Sequence, residues 1–494
     1  MDSPVQIPFK SFIQLKPDNS IAVYLQIVFE FIKAIQTGLL PEGTKLPGTR
    51  VLCKLLGVNR NTLIKAFDDL QLQGFIKISP NKGTFILSNQ KQTKAIKPVQ
   101  NFQAESTFSF KRSLILEDPV EVSNLPYQFN DGLPDLRIVQ TDVLARLYVS
   151  KLKRKKNTLS WKQLQSESHS DFKQHFSNFL NVTRGLRITA SNILTTTSHE
   201  TSLYLVTKLL ISNGDKVVIG APGYYRSNMT LLDGGAQVIT IPVDEDGLSI
   251  VHLKKVCTEH VIRALYLTSN YHYPTTNCLS AKRRIEILEL AKLHGFVVIE
   301  DDYDFDFHYD NNPVLPLSAF NQSGNVIYIG SFARSLPSGF GYGFITAPPE
   351  FIAELEKYQQ ILEAGIDVIK EQVLSNWIAD GEIHRLAKKN KKVYKERRDD
   401  FVNLLKAKLE GKIKFKIPAQ GLAVWVEWLD DFSLIKLKQQ CAKEGLFLPK
   451  TILYQTKNVR GIRLGFGHMN KTEMENAVEI LSKSLHVLLL NSSS

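Results

Sequence analysis

The sequence has no hydrophobic run long enough to cross a membrane. Apolar stretches such as Val297–Ile299 and Val487–Leu490 fall far short of the about 20 residues that a transmembrane helix needs. The first residues, Met1–Pro4, also lack the basic and apolar regions of a signal peptide. We therefore expect a chain that stays in the cytoplasm and has no membrane partner.

Cysteine is scarce as well, with four in 494 residues and no C-x-x-C pair among them. This scarcity excludes a disulfide scaffold and a clustered zinc site, and it fits a reducing compartment. We therefore expect no metal site. The cysteines are Cys53, Cys257, Cys278 and Cys441.

Acidic residues are under-represented in the N-terminal fifth of the chain. Residues 1–100 contain 13 Lys and Arg against 6 Asp and Glu, which gives +7 of the formal net charge of +12. A basic module joined to a nearly neutral remainder is typical of a DNA-binding domain. On charge alone, a solvated basic surface remains an alternative.

The pattern of apolar residues divides the chain into three segments. Residues 1–87 alternate helical patterns with turns, and residues 88–125 have no sustained apolar period, which predicts a linker. In residues 126–494, short β-rich runs alternate with amphipathic stretches of helix length, which predicts βαβ units and a mostly parallel sheet. The β-rich runs are Lys216–Ile219, Gln237–Ile241, Ile262–Leu267, Phe296–Glu300 and Asn325–Ile329.

Three helices and a hairpin are predicted in the first segment. Apolar residues at helical spacing predict a helix over Ile21–Thr37, a second from near Thr49 to Gly57, and a third over Asn61–Gln73. Two helices joined by a tight turn, the second one basic and polar at its start, have the layout of a helix-turn-helix. A hairpin over Phe75–Ile86 would form a wing beside it.

Four short motifs make this segment resemble the winged helix of GntR-type bacterial regulators. They are Leu46–Arg50, Gly57–Thr62, Gln73–Phe75 and Lys82–Phe85. The resemblance implies a double-stranded DNA operator as partner. The wing departs from the family in having Asn81 where Gly is usual. The alternative is a small helical domain with an ordinary charged face.

DNA contacts are predicted on both helices and on the wing. The resemblance places Arg50, Arg60 and Thr62 at family contact positions and Gly83 at the wing tip, while charge and placement add Lys65 and Lys82. Arg and Lys neutralise phosphates, and the early residues of the third helix read base edges in the major groove. The predicted DNA-binding residues are Arg50, Arg60, Asn61, Thr62, Lys65, Lys82 and Gly83.

The third segment resembles the fold type I aminotransferase domain that MocR-type regulators carry behind a GntR-type head. The resemblance runs from about Tyr127 to Val487. It implies an α/β fold with a mostly parallel central sheet, helices on both faces and a small C-terminal α/β subdomain, assembled as a homodimer. The motifs are Gly132–Leu136, Pro222–Tyr224, Pro242–Leu248, Glu300–Asp304, Gly330–Phe332 and Gly461–Phe466.

This resemblance also implies a pocket for pyridoxal phosphate. Asp301 matches the carboxylate that keeps the pyridine nitrogen protonated, which makes the ring an electron sink, and Tyr303 matches a donor to the phenolic oxygen. Arg463 matches the guanidinium that binds a substrate carboxylate, and Arg226 is a second candidate anion contact. Without the resemblance, Asp301 would be interpreted as a helix-capping acid and Arg463 as one side of a surface ion pair.

The residues that would attach the cofactor differ from the family. At the Schiff-base lysine, in the run Gly330–Arg334, the chain has Arg334, whose guanidinium supplies no free amine. Gly341 replaces an arginine that contacts the phosphate. The phosphate loop, usually Ser-Gly-Ala-Gln, reads Thr197–Glu200, which removes the flexible Gly and adds an acid that repels phosphate. The family stretch Tyr-Gly-Asp-Pro-Gln-Gly is replaced by Trp161–Ser166.

We therefore predict a remnant pocket without catalytic residues and without a covalently attached cofactor. Ser331 is the phosphate contact that remains. Arg334 is expected either to hold a carboxylate or phosphate effector or to pair with Asp301 or Glu200. The pocket residues are Tyr224, Asp301, Tyr303, Ser331 and Arg334, with Arg226 and Arg463 as effector contacts.

Three functions are consistent with these motifs. The leading hypothesis is a DNA-binding transcriptional regulator whose second domain dimerises and senses a small-molecule effector without catalysis. The alternative is a regulator that still binds and responds to pyridoxal phosphate. The third is a working aminotransferase with an incidental basic head, against which the arginine at position 334 argues directly.

Overall fold

The structure, a computed structural model, divides into two compact units, Met1–Lys111 and Arg112–Ser494. At residues 10, 161–168 and 491–492 the backbone alone is described. The described residues are 9–13, 15, 21–80, 82–87, 108–110, 112–117, 121–139, 141–154, 161–309, 314–321, 323–332, 336, 340–362, 367–456 and 459–492.

The helices of the first unit, the head, lie close to the predicted positions. A single turn, α1 (Phe9–Phe12), precedes α2 (Val23–Gln36), α3 (Thr49–Leu56) and α4 (Arg60–Leu72). Phe31 of α2 packs edge-on against Phe67 of α4, with ring centroids 5.9 Å apart. Four apolar residues of α4 at helical spacing are all buried, namely Leu63, Ala66, Phe67 and Leu70.

A small antiparallel sheet completes the head. Its order is β1-β3-β2, with β1 (Lys45–Leu46), β2 (Ile76–Ser79) and β3 (Gly83–Ile86). The β2–β3 hairpin is the predicted wing. Strand β1 was not predicted, because its two residues follow a Pro- and Gly-containing stretch and gain their strand geometry only by pairing with β3.

The second unit, the body, is built on an eight-stranded sheet of order β5-β12-β11-β10-β9-β6-β7-β8. The five central strands β7, β6, β9, β10 and β11 are parallel, while β12 and β8 are antiparallel to their neighbours. The strands are β5 (Ile193–Thr196), β6 (Lys216–Ala221), β7 (Gln237–Asp244), β8 (Gly247–Leu248), β9 (Ala264–Leu267), β10 (Val297–Asp302), β11 (Val326–Phe332) and β12 (Tyr342–Thr346).

Both faces of this sheet are buried, which explains the near-continuous apolar runs in its strands. On β10, Val298 joins the core on one face and Ile299 joins the core on the other. Helices cover both sides. In chain order they are α5 (Thr141–Leu152), α6 (Trp161–Arg184), α7 (His199–Leu210), α8 (Tyr225–Asp233), α9 (Ile250–Glu259), α10 (Ala281–His294), α11 (Pro349–Leu362) and α12 (Val368–Ala379).

A smaller C-terminal α/β subdomain follows. Its antiparallel sheet has the order β13-β14-β17-β16, and a short parallel pair joins β15 to β4 (Tyr127–Gln128). Its other elements are α13 (Glu382–Leu409), β13 (Ile413–Phe415), β14 (Ala423–Trp428), α14 (Leu434–Lys443), β15 (Leu446–Phe447), β16 (Leu453–Gln455), β17 (Arg460–Gly465) and α15 (Lys471–Ser492).

The predicted fold class is confirmed: a winged helix-turn-helix head, a mostly parallel sheet between two helical layers, and a C-terminal subdomain. The order of the parallel strands brings the carboxyl ends of β9, β10 and β11 to one edge of the sheet. Ligand sites of open α/β sheets lie at this edge. Within the described ranges, no helix has the length and apolar composition needed to span a membrane.

The turn between α3 and α4 depends on Gly57, which caps α3 with a left-handed φ of +68°. A Cβ at Gly57 would meet no atom within 4 Å, so a substitution here changes the backbone preference and nothing else. We expect Gly57→Ala to cost about 1–2 kcal/mol of head stability, because L-residues with a side chain disfavour this conformation. Hydrogen exchange of the α3 and α4 amides in the full chain measures the effect.

Gly57→Asn is the matched variant, because Asn tolerates left-handed geometry. It should retain most of the protection from exchange. Equal losses for Ala and Asn would contradict the conformational explanation.

Candidate functional site

The first turn of α4 presents the residues predicted to read DNA. Asn59 caps this helix, and its Oδ1 accepts a hydrogen bond of 3.1 Å from the backbone N–H of Asn61. Arg60 and Asn61 are exposed and Thr62 is half-buried. The free N–H groups of the helix start add positive potential there, which suits a phosphate.

The other predicted DNA contacts lie on three different elements. Arg50 is exposed in the first turn of α3. Lys65 is exposed on α4, and its Nζ lies 4.1 Å from the centre of the Tyr24 ring. Lys82 is exposed at the wing, next to Gly83, whose φ is +116°.

A further basic residue at the wing was missed by the sequence analysis. A Cβ on Gly83 would come within 3.0 Å of Lys45 Cε, so the exposed Lys45 side chain runs alongside the wing tip. Its pairing position opposite Phe85 brings it there. The signal that could have found Lys45 is its charge next to the Leu46–Arg50 motif.

In the body, one cavity collects four of the predicted pocket residues at the carboxyl edge of the sheet. Asp301 is the penultimate residue of β10, Ser331 is the penultimate residue of β11, and Tyr224 directly precedes α8. The cavity is lined by Asp131, His199, Glu200, Tyr224, Tyr266, Thr268, Tyr273, Asp301, Tyr303 and Ser331.

Asp301, the predicted partner of a pyridine nitrogen, is buried and already hydrogen-bonded. Its Oδ2 accepts a bond of 2.6 Å from the Tyr266 hydroxyl and one of 2.9 Å from His199 Nε2. Its Oδ1 is buried and has no hydrogen-bond partner among the described residues. Burial and the adjacent Asp301 charge raise the pKa of Tyr266 well above its ordinary value, so this tyrosine stays a neutral donor.

Arg463 and Tyr303 contact one another beside the cavity. Arg463 is fully buried; it donates to the Asp131 carbonyl at 2.9 Å, to the Pro274 carbonyl at 3.1 Å and to the Tyr303 hydroxyl at 3.2 Å. The Tyr303 hydroxyl in turn donates to the Tyr271 carbonyl at 3.2 Å. The guanidinium of this predicted effector contact is thus directed at protein acceptors.

Arg226 and Glu200 pair at the start of α7. Arg226 Nη1 lies 3.1 Å from Glu200 Oε1, and Arg226 Nε donates to the Tyr225 hydroxyl at 3.0 Å. Glu200 is exposed, with 49% of its side-chain surface accessible, and although desolvation opposes its ionisation, its own backbone N–H, the charges of His199 and Arg226, and the Ser198 hydroxyl together lower its pKa. A carboxylate therefore stands at this helix N-terminus.

A buried arginine, Arg184, holds Ser331 through its backbone carbonyl. Arg184 donates to the Ser331 carbonyl at 2.9 Å and to the Tyr328 hydroxyl at 2.6 Å. Tyr328 in turn donates to Asp302 at 2.7 Å. Burial raises the pKa of Asp302 to about 6, although the nearby Arg184 charge favours ionisation.

The remaining predicted positions are placed as follows. Arg334 lies outside the described residues, as does Asn81, so the predicted roles of Arg334 stay predictions. Gly341 is half-buried just before β12. The described partners of Asp301 and Glu200 are His199, Tyr266 and Arg226. His199 was noted in the sequence only as a member of an altered loop, and Tyr266 was missed; both needed contacts between distant parts of the chain.

Comparison with known proteins identifies both units. Residues 148–481 match the model of the family aminotransferase class I and II, and residues 23–86 match the model of bacterial regulatory proteins, gntR family. The chain is 25% identical to the HTH-type transcriptional regulator YdfD of Bacillus subtilis (strain 168), covering 95% of this chain and 97% of that protein. It is 23% identical to the probable rhizopine catabolism regulatory protein MocR of Rhizobium meliloti, covering 80% of this chain and 79% of that protein.

A solved structure supports the body fold. The multiple substrate aminotransferase of Thermococcus profundus aligns with a TM-score of 0.67, at 20% identity, over 76% of this chain and 94% of that chain. An aminotransferase class I and II domain suggests pyridoxal phosphate as the cofactor.

The residues of the pocket do not fit this cofactor. Tyr224, Tyr303 and Ser331 stand at suitable positions, and Asp301 Oδ1 is an available acceptor. However, the other Asp301 oxygen is bonded to His199, and the helix end that would bind a phosphate carries the Glu200 carboxylate.

Proposed function

The chain belongs to the aminotransferase class I and II family and is a GntR-type transcriptional regulator of the MocR kind, and on this premise we propose that it binds an operator through its head and that its body is catalytically inactive. In this proposal the body dimerises and responds to a small-molecule effector. The arginine at position 334 is the observation that carries the proposed inactivity.

The exposed start of α4 supports the operator-binding part of the proposal. Arg60 and Asn61 stand in its first turn beside the half-buried Thr62, and the exposed Lys82 stands on the wing. This arrangement suits a helix that enters the major groove while the wing contacts the backbone. The net +7 of residues 1–100 supplies the attraction for phosphates.

The effector is proposed to bind in the body, near Arg226 and Arg463. Both guanidiniums are bonded to protein acceptors. An anionic effector has to replace the acceptors of the fully buried Arg463 to reach it, whereas the Arg226 side chain is 38% exposed. The second candidate function, a regulator that still binds pyridoxal phosphate without covalent attachment, is favoured by one observation. The observation is that Asp301 Oδ1 has no hydrogen-bond partner among the described residues.

Arg60→Ala and Arg50→Ala should each weaken operator binding by about 1–3 kcal/mol, because each removes a base-edge or phosphate contact. Fluorescence anisotropy with a duplex that the wild type selects from a random pool measures this. Wild-type affinity should also fall steeply with salt, by a slope of about −0.9 for each phosphate neutralised. The control is Arg385→Ala, an exposed arginine of the body that pairs with Glu382. Unchanged binding by both head variants would contradict the assignment.

We expect a homodimer, since two heads presented by one dimer match paired half-sites spaced by whole helical turns. Light scattering at micromolar concentration should give the mass of two chains. A monomer with undiminished operator binding is the outcome that excludes this part of the proposal.

We expect no covalent cofactor and no transamination. Wild type incubated with pyridoxal phosphate and then borohydride should show no stoichiometric phosphopyridoxyl adduct in the pocket by peptide mass spectrometry, because the guanidinium of Arg334 supplies no amine. The matched variant Arg334→Lys regains the amine, yet it should be labelled to less than one adduct per chain, since Gly341 and Glu200 leave the phosphate poorly held. A stoichiometric adduct on one pocket lysine of the wild type would overturn the proposed inactivity.

A further inference from the structure

Pyridoxal phosphate needs two polar anchor points in a pocket of this family. A carboxylate faces the ring nitrogen, and the N-terminus of a helix faces the phosphate. In this chain the carboxylate is Asp301, at the end of β10, and the helix is α7. Both anchor points border the same cavity, which Asp301, His199 and Glu200 line.

The first anchor point is taken by a side chain of the protein. His199 is the first residue of α7, and its Nε2 lies 2.9 Å from Asp301 Oδ2. Because a carboxylate only accepts, Nε2 is the donor, as a pyridinium nitrogen would be. The imidazole thus extends from the helix end to the carboxylate, along the line that a ring must follow to join the two anchor points.

The second anchor point is taken by the next residue. The Glu200 carboxylate belongs to the first turn of α7, where its own backbone N–H and the Ser198 hydroxyl lower its pKa. Arg226 neutralises it at 3.1 Å. A carboxylate beside an arginine at a helix N-terminus lies in the same positive potential that would hold a phosphate.

The short loop that leads into both residues, Thr197–Ser198, is fixed in place. Ser198 caps α7 by accepting from the Thr201 N–H at 3.1 Å, and its carbonyl accepts from the Thr196 hydroxyl at 2.7 Å. On its other side the loop packs against Gly343 of β12, where a Cβ would come within 2.1 Å of the Ser198 carbonyl oxygen. A shift toward β12 is therefore blocked by backbone.

We propose that the chain fills its own cofactor site, with the His199 imidazole in place of the pyridine ring and the Glu200 carboxylate in place of the phosphate. Asp301 Oδ1 has no hydrogen-bond partner among the described residues, but in this proposal a ring that reached it from the start of α7 has to displace the imidazole. The inference deepens the proposed function: it rests on a body that does not use the cofactor, and it states what keeps the pocket ordered instead.

The test is a titration with pyridoxine 5′-phosphate, which has the ring and the phosphate but no aldehyde. Binding then reports recognition without a covalent step, so its outcome is separate from that of the borohydride experiment. Wild type should not saturate at millimolar concentration. The variant His199→Gly with Glu200→Ala should saturate, with an affinity at least tenfold above either single variant, since both residues oppose one ligand.

A matched pair of substitutions controls for a general loosening of the body. His169 Nδ1 lies 2.8 Å from Glu371, and Glu356 lies 2.9 Å from Lys173, both on residues that do not line the cavity. His169→Ala with Glu356→Ala should behave like the wild type. Two results overturn the proposal: wild-type binding as tight as that of the loop variant, or no binding by a loop variant that melts at the wild-type temperature.

A second measurement needs no ligand and decides the matter if the loop variant melts early. Asp301→Ala should lower the melting temperature of the wild type more than that of His199→Gly, because the first background loses the bond to His199 and the second does not. Equal shifts in both backgrounds would show that His199 and Asp301 are uncoupled and would overturn the proposal.

Discussion

A buried carboxylate at the end of a parallel strand must be paired, and the pocket of this protein is organised around that requirement. Asp301 is almost fully buried, and an isolated ionised carboxylate in such a place is strongly unfavourable. In an aminotransferase a cofactor would meet part of this requirement. Here Tyr266 from β9 and His199 from α7 supply donors from within the chain. The chemistry of the pocket follows from which partner the carboxylate has.

Much of the fold could be predicted because it depends on local patterns. The strand runs predicted at Lys216–Ile219 and Phe296–Glu300 appear as β6 and β10, with ends shifted by two residues or fewer. Helix α4 differs from its predicted span by one residue at each end. Strand β1 was missed, because two residues carry no periodicity and gain their geometry from a partner more than 35 residues away in sequence.

The candidate site was predictable only in part, for a physical reason. Motif positions such as Asp301 and Tyr303 are recognisable in sequence because they belong to one short run. Hydrogen-bond partners are set by folding, so the bonds from His199 and Tyr266 to Asp301 span 102 and 35 residues and leave no local pattern. The same holds for Arg463, whose acceptors at Asp131 and Pro274 come from distant loops.

Arg184 supports the end of β11 in a way that does not depend on the side chains of the pocket. Its guanidinium is fully buried, packs against the ring of Phe305 at 4.6 Å and bonds the carbonyl of Ser331, so it secures the end of β11 without touching any cofactor anchor. The Ser331 end of β11 is therefore attached to the core through its backbone carbonyl, so the bond does not depend on the side chain that stands there. In a scaffold built in this way, side chains of the pocket can differ without loss of the fold, because the bond that secures β11 joins a distant arginine to a backbone oxygen.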